Sequence, residues 1–119
     1  MAYDEMLAAS VRAALADQPG VSEQRMFGGL SFLLNGNMCC GVVGGTLMVR
    51  VGPDAYEAAL ATPHAREMDF TGRPLRGMVY VAPDGVHTDS ALAAWVRRGT
   101  AFAASLPPKK PKKRKREAW

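Results

Sequence analysis

Three stretches of the chain repeat apolar residues at helical spacing. In residues 4–17, Leu7, Val11 and Ala14 recur every three or four positions with Leu15 beside them; Asp4 can cap the start, and Pro19-Gly20 ends the pattern. Residues 53–61 predict a second helix, with Pro53 at its first position and Tyr56, Ala59 and Leu60 turned inward. The third is the clearest. Thr88 or Asp89 caps it, and Leu92, Trp95, Val96, Gly99, Phe102, Ala103 and Leu106 form one continuous stripe.

Between the first two helices the period changes to that of strands, punctuated by glycine and asparagine. Gly44-Gly45 suits a two-residue hairpin that pairs Val42 with Leu47, Cys40 with Val49 and Met38 with Val51, all apolar. The preceding Asn35-Gly36-Asn37 allows two registers. A two-residue Asn-Gly turn would put Ser31 and Gly29 on the core face and expel Leu30, Phe32 and Leu34. A three-residue loop sets Leu34 opposite Met38, Phe32 opposite Cys40 and Leu30 opposite Val42. Burying three large apolar side chains is worth roughly 5–8 kcal/mol, far more than a turn preference, so the three-residue loop is expected.

Residues 75–82 predict a further strand, with Leu75, Val79 and Val81 on one face and Arg76, Met78 and Tyr80 on the other. A shorter segment around Met68-Asp69-Phe70 precedes it across Thr71-Gly72-Arg73-Pro74, a turn composition. The expected order is α-β-β-β-α-β-β-α. That is an α+β domain with a mostly antiparallel sheet of about five strands and three helices on one face.

Charge divides the chain. Residues 1–108 hold eight arginines against ten acids, a net of −2. Residues 109–119 hold seven basic residues, including every lysine, against Glu117, a net of +6. A like-charged run with Pro107, Pro108 and Pro111 cannot bury apolar area, so residues 1–106 are expected to fold and 107–119 to form a disordered basic tail. Lys109, Lys110, Lys112, Lys113, Arg114, Lys115 and Arg116 can neutralise phosphates and give salt-sensitive, nonspecific affinity for DNA or RNA. The bland alternative is a solvated tail that aids solubility. In a host with a nucleus the same run would read as an import signal. No apolar run spans a membrane and no charged-then-apolar leader opens the chain, which predicts a cytoplasmic protein.

The sheet face turned away from the helices is expected to carry Ser31, Leu33, Cys39, Gly41, Val43, Met48, Arg50, Arg76, Met78 and Tyr80. Arginine, methionine and tyrosine among small residues resemble the centre of a protein interface, so Met48, Arg50, Arg76, Met78 and Tyr80 are the candidate partner face, for a protein partner or a homodimer. Cover by a neighbouring loop is the ordinary alternative.

Catalytic signals are sparse. Cys39 and Cys40 should point to opposite faces of a strand, and only His64 and His87 could join them; zinc needs four convergent ligands, so no metal and no cofactor are expected. Met26-Phe27-Gly28-Gly29 lacks the spacing of a nucleotide loop, and no serine sits in a Gly-x-Ser-x-Gly turn. The reading is therefore non-enzymatic. A pocket between sheet and helices near Phe27, Trp95 and Phe102, binding a small molecule, is the runner-up.

Several blocks resemble a known family when taken in order. They are Arg25-Met26-Phe27-Gly28-Gly29, Asn35-Gly36-Asn37-Met38-Cys39-Cys40-Gly41-Val42, Leu47-Met48-Val49-Arg50-Val51-Gly52, and Ala65 to Pro74 followed by Gly77-Met78-Val79-Tyr80-Val81. Together they resemble the N-terminal domain of the TfoX/Sxy family over about residues 3–106. The resemblance implies a bacterial α+β domain linked to transcription: named members regulate natural-competence genes beside the cyclic-AMP receptor protein. Those regulators carry a second, helical domain where this chain has its lysine-rich segment, so a stand-alone short member is expected. The family supplies no catalytic residue to carry over.

Overall fold

A computed structural model describes residues 3–26, 28–68 and 77–107. The elements run α1 (Glu5–Ala14), β1 (Val21–Met26), β2 (Gly29–Leu34), β3 (Asn37–Val43), β4 (Thr46–Arg50), α2 (Tyr56–Leu60), β5 (Ala65–Glu67), β6 (Met78–Val81), a single 3-10 turn (Pro83–Gly85) and α3 (Asp89–Ser105). The strands form one antiparallel sheet in the order β1-β2-β3-β4-β6-β5. The fold is α+β, with six strands among the described residues.

The additional strand is β1. Its Ser22, Glu23, Gln24 and Arg25 are all exposed, because it is an edge strand held to β2 by backbone pairing from Val21↔Leu34 to Met26↔Gly29. Of residues 21–25 only Val21 packs against the core, so no alternation marks the strand. The strand expected around Met68-Asp69-Phe70 lies earlier, at β5; Asp69, Phe70, the turn at 71–74, Leu75 and Arg76 fall outside the described residues.

Both Asn35 (φ 53°) and Gly36 (φ 84°) are left-handed, so the β2–β3 connection is the two-residue Asn-Gly turn, with Leu34 opposite Asn37 and Leu33 opposite Met38. Beyond it the register shifts by one: Phe32 faces Cys40 and Leu30 faces Val42, leaving Cys39 as the extra residue of a β-bulge. Turn chemistry and burial are thus both satisfied. The expected three-residue loop is replaced, and Met38 moves off the core face.

The second hairpin follows expectation in Val42↔Leu47 and Cys40↔Val49, with Gly44 (φ 55°) at the turn. All three helices lie on one face. Asp4 Oδ1 accepts from the backbone N–H groups of Met6 and Leu7, at 2.9 and 3.2 Å, and Thr88 Oγ1 accepts from that of Ala91 at 3.1 Å. Helix α2 is shorter than predicted; Pro53 sits in the turn before it, and Tyr56 is its first residue.

Helix α3 lays Leu92, Trp95, Val96, Gly99 and Ala103 onto Phe32, Cys40, Val42, Leu47, Val49, Val79 and Val81 to make the main core. Gly99 is the closest approach, since a Cβ there would stand 2.2 Å from the Cys39 carbonyl oxygen. Past the helix end, Asn37 Nδ2 donates to the Pro107 carbonyl at 3.0 Å, tying residue 107 to the β2–β3 turn.

Candidate functional site

Candidate chemistry falls in four places along the chain: the second sheet face, the cysteine pair, a pocket beside α3 and the basic segment. Lys109, Lys110, Lys112, Lys113, Arg114, Lys115 and Arg116 lie outside the described residues, as do Arg76 and Phe27.

The second sheet face is a row of cross-strand neighbours. Ser31, Gly41, Met48, Tyr80 and Arg66 stand side by side on β2, β3, β4, β6 and β5. Met48 is fully buried, its Cε only 2.6 Å from where a Gly41 Cβ would be, so the thioether lies flat across β3. Met38, Met68, Met78 and Tyr80 complete a second apolar cluster around it, each at most 9% exposed. The expected open face is therefore corrected. Met68, in the chain just after β5, packs on this face, and Met48, Met78 and Tyr80 are interior. The sequence places Met48, Met78 and Tyr80 on this face, but it puts Met38 on the other and Cys39 here, and it carries no signal that Met68 covers it. Arg66 remains at the surface, stacked 4.6 Å over the Tyr80 ring. Within the cluster the Ser31 hydroxyl is buried with no hydrogen-bond partner.

Arg50 behaves differently from its row. It is half-buried at the end of β4, and its guanidinium reaches the Phe102 ring of α3, 5.2 Å from the centroid. Phe102 in turn is half-buried, unlike most of the α3 stripe, because it walls an open cleft of about 420 Å³ between α2 and α3. Val51, Ala55, Ala58, Ala101 and Arg98 complete the lining. Arg98 is stacked 4.4 Å over Trp95 and donates to Thr62 Oγ1 at 3.5 Å. Phe102 was expected beside a pocket; Trp95 is buried beneath Arg98 and is not part of the lining.

Cys39 and Cys40 are both fully buried in the main core, with sulfurs 3.9 Å apart. The bulge removes the alternation that would have sent them to opposite faces. The Cys39 thiol donates to the Phe32 carbonyl at 3.3 Å, and hydrogen bonding to Cys39 together with burial pushes the Cys40 thiol well above its ordinary range. Cys40 is held as a neutral thiol, which is a poor nucleophile. Both histidines are exposed; His87 Nδ1 donates to the Asp84 carbonyl at 2.9 Å, and the His64 carbonyl accepts from Ala82 N–H. Among the described residues no three His, Cys, Asp or Glu side chains are grouped to hold a metal ion. No helix among them is long and apolar enough to cross a membrane.

Comparison with known proteins gives one match. A model of the TfoX N-terminal domain covers residues 13–103, from α1 to nearly the end of α3. No curated protein and no solved structure matches the chain.

Proposed function

The chain belongs to the TfoX N-terminal domain family, and from that premise we propose a non-enzymatic regulatory or accessory protein that works in transcription in the bacterial cytoplasm. Its folded domain engages a protein partner or a second copy of itself. Its basic segment supplies nonspecific affinity for DNA or RNA. The observation that carries this reading is the segregation of charge: seven cations within residues 109–116, beside residues 1–108 at net −2. A slightly acidic domain repels nucleic acid on balance, so the segment is the main source of affinity.

The Asn37–Pro107 hydrogen bond supports the same reading, because it fixes the start of the segment beside the β2–β3 turn. Releasing counterions from up to seven phosphates gives a log–log salt slope of about −4 to −6.

The test is a salt titration of the full chain on a generic duplex DNA by fluorescence anisotropy, against a full-length variant with all seven cations changed to Gln. The expected result is the steep slope for the natural chain and loss of binding at moderate salt for the variant. Equal binding by both, or none by either, overturns the nucleic-acid reading and leaves the domain's protein partner as the function to pursue.

A further inference from the structure

We infer that the cleft between α2 and α3 is a binding site for a small carboxylic acid with an apolar body, and that Arg98 receives its carboxylate. The cleft is about 420 Å³, within the range of small-molecule sites. Its floor and walls are apolar: Val51, Ala55, Ala58, Ala101 and the Phe102 ring. The three alanines leave the space empty, and all three stand at the surface. The Phe102 wall is fixed in place. It lies against Gly52, where a Cβ would come within 2.4 Å of the ring, and Arg50 covers it from 5.2 Å.

Charge selects the ligand class. Arg98 lines the cleft and Arg50 stands on its wall, and among the described residues neither has a carboxylate within ion-pairing distance. Asp54 and Glu57, beside the lining residues of α2, pair with neither of them. Stacking on Trp95 and a long contact to Thr62 Oγ1 set the direction of the exposed Arg98 guanidinium while leaving donors free, since a guanidinium carries five N–H groups. A planar fork matches a carboxylate in two-point geometry, and an apolar body fills the alanine-lined space. The inference does not rest on the nucleic-acid reading of the basic segment.

The experiment is an NMR titration of the full-length ¹⁵N-labelled chain with naphthalene-2-carboxylate, and in parallel with the neutral naphthalene-2-methanol. The acid is expected to bind with a Kd of about 1 mM or tighter. Shifts should concentrate on the amides of Ala55, Ala58, Ala101 and Phe102. Arg98→Gln should weaken the acid about 10-fold and leave the alcohol unchanged. Ala101→Phe should abolish both, and Ala58→Leu, at a second exposed position, repeats that test should the first variant fold poorly. No shift at these amides overturns the inference. So does equal binding of acid and alcohol, which would make the cleft a plain apolar docking surface. Shifts at the same amides on raising protein concentration alone would make a second copy of the chain the occupant, and overturn it too.

Discussion

The two faces of this sheet bury side chains in different ways. The helix-covered face is built from aromatic and branched residues: Phe32, Leu34, Val42, Leu47, Val49, Val79 and Val81, all at most 1% exposed. The opposite face carries no described helix and is filled by Met38, Met48, Met68 and Met78 with Tyr80. Branched and aromatic side chains have few rotamers, so they interlock with a rigid helix and specify its position. Methionine has three soft torsions and adapts to whatever lies over it. One sheet thus combines a sharply specified core with a compliant one, and only the first constrains its neighbours closely.

The largest expected effect is on the specified face. Phe32→Ala removes a ring with no exposed surface from beneath α3 and should cost about 3–5 kcal/mol, read as a shift of the urea midpoint at unchanged slope. A cost below about 1 kcal/mol would mean that this face relaxes as readily as the methionine one.

Gly99→Ala sharpens the contrast because two effects oppose. Helix propensity alone favours alanine by about 1 kcal/mol. Against it, the new Cβ would lie 2.2 Å from the Cys39 carbonyl oxygen, and backbone cannot yield as a side-chain tip can. Overpacking of this kind costs about 1–3 kcal/mol, so destabilisation is expected to win. A higher melting temperature in the variant would show that α3 can lift from the bulge without penalty.

A pair of neighbours on β4 makes the comparison at one point in the chain. Met48 and Val49 are both fully buried and face opposite sides. Met48→Leu nearly conserves volume in the compliant cluster and should cost less than about 1.5 kcal/mol. Val49→Leu adds a methylene next to Gly99 and should cost more, about 1–3 kcal/mol. If the two changes cost the same, the distinction between the faces fails.

These two faces were not equally legible in the sequence. The core face could be read because Leu30, Phe32, Val42, Leu47, Val49, Val79 and Val81 alternate with period 2, and only burial explains them. The Asn-Gly turn was legible too, yet it conflicted with that alternation. The bulge at Cys39 resolves the conflict, and nothing in one sequence announces a bulge at that residue. The methionine face could be read as unusual, with cover by a loop one of two readings, and nothing in the pattern singles out Met68, just after β5, as the residue that covers it. The α2–α3 cleft was half-read: Phe102 belonged to the right helix stripe, but its incomplete burial follows from Ala55, Ala58 and Ala101 being small on facing helices. Arg50 was assigned by parity to one face, and its length carries the guanidinium to α3 on the other.

The smallest effect lies at the edge of the helix-covered face, where packing gives way to charge. The Arg12 guanidinium of α1 bonds both carboxylate oxygens of Glu23 on β1, at 2.6 and 3.0 Å. That hydrogen bonding holds the Glu23 carboxyl below its ordinary range, against the opposing effect of partial burial. A carboxyl depressed in the folded state adds stability above the unfolded carboxylate range, and the contribution is lost as pH falls through the folded value. Both side chains stay partly in water, at 48% and 36% exposure, so solvent and salt screen the pair. Glu23→Gln should therefore lower the melting temperature slightly at pH 7 and not at pH 3, and the small difference at pH 7 should shrink further in high salt. A difference that persists at pH 3 would mean that Glu23 holds the edge strand by packing against α1 and not by its charge.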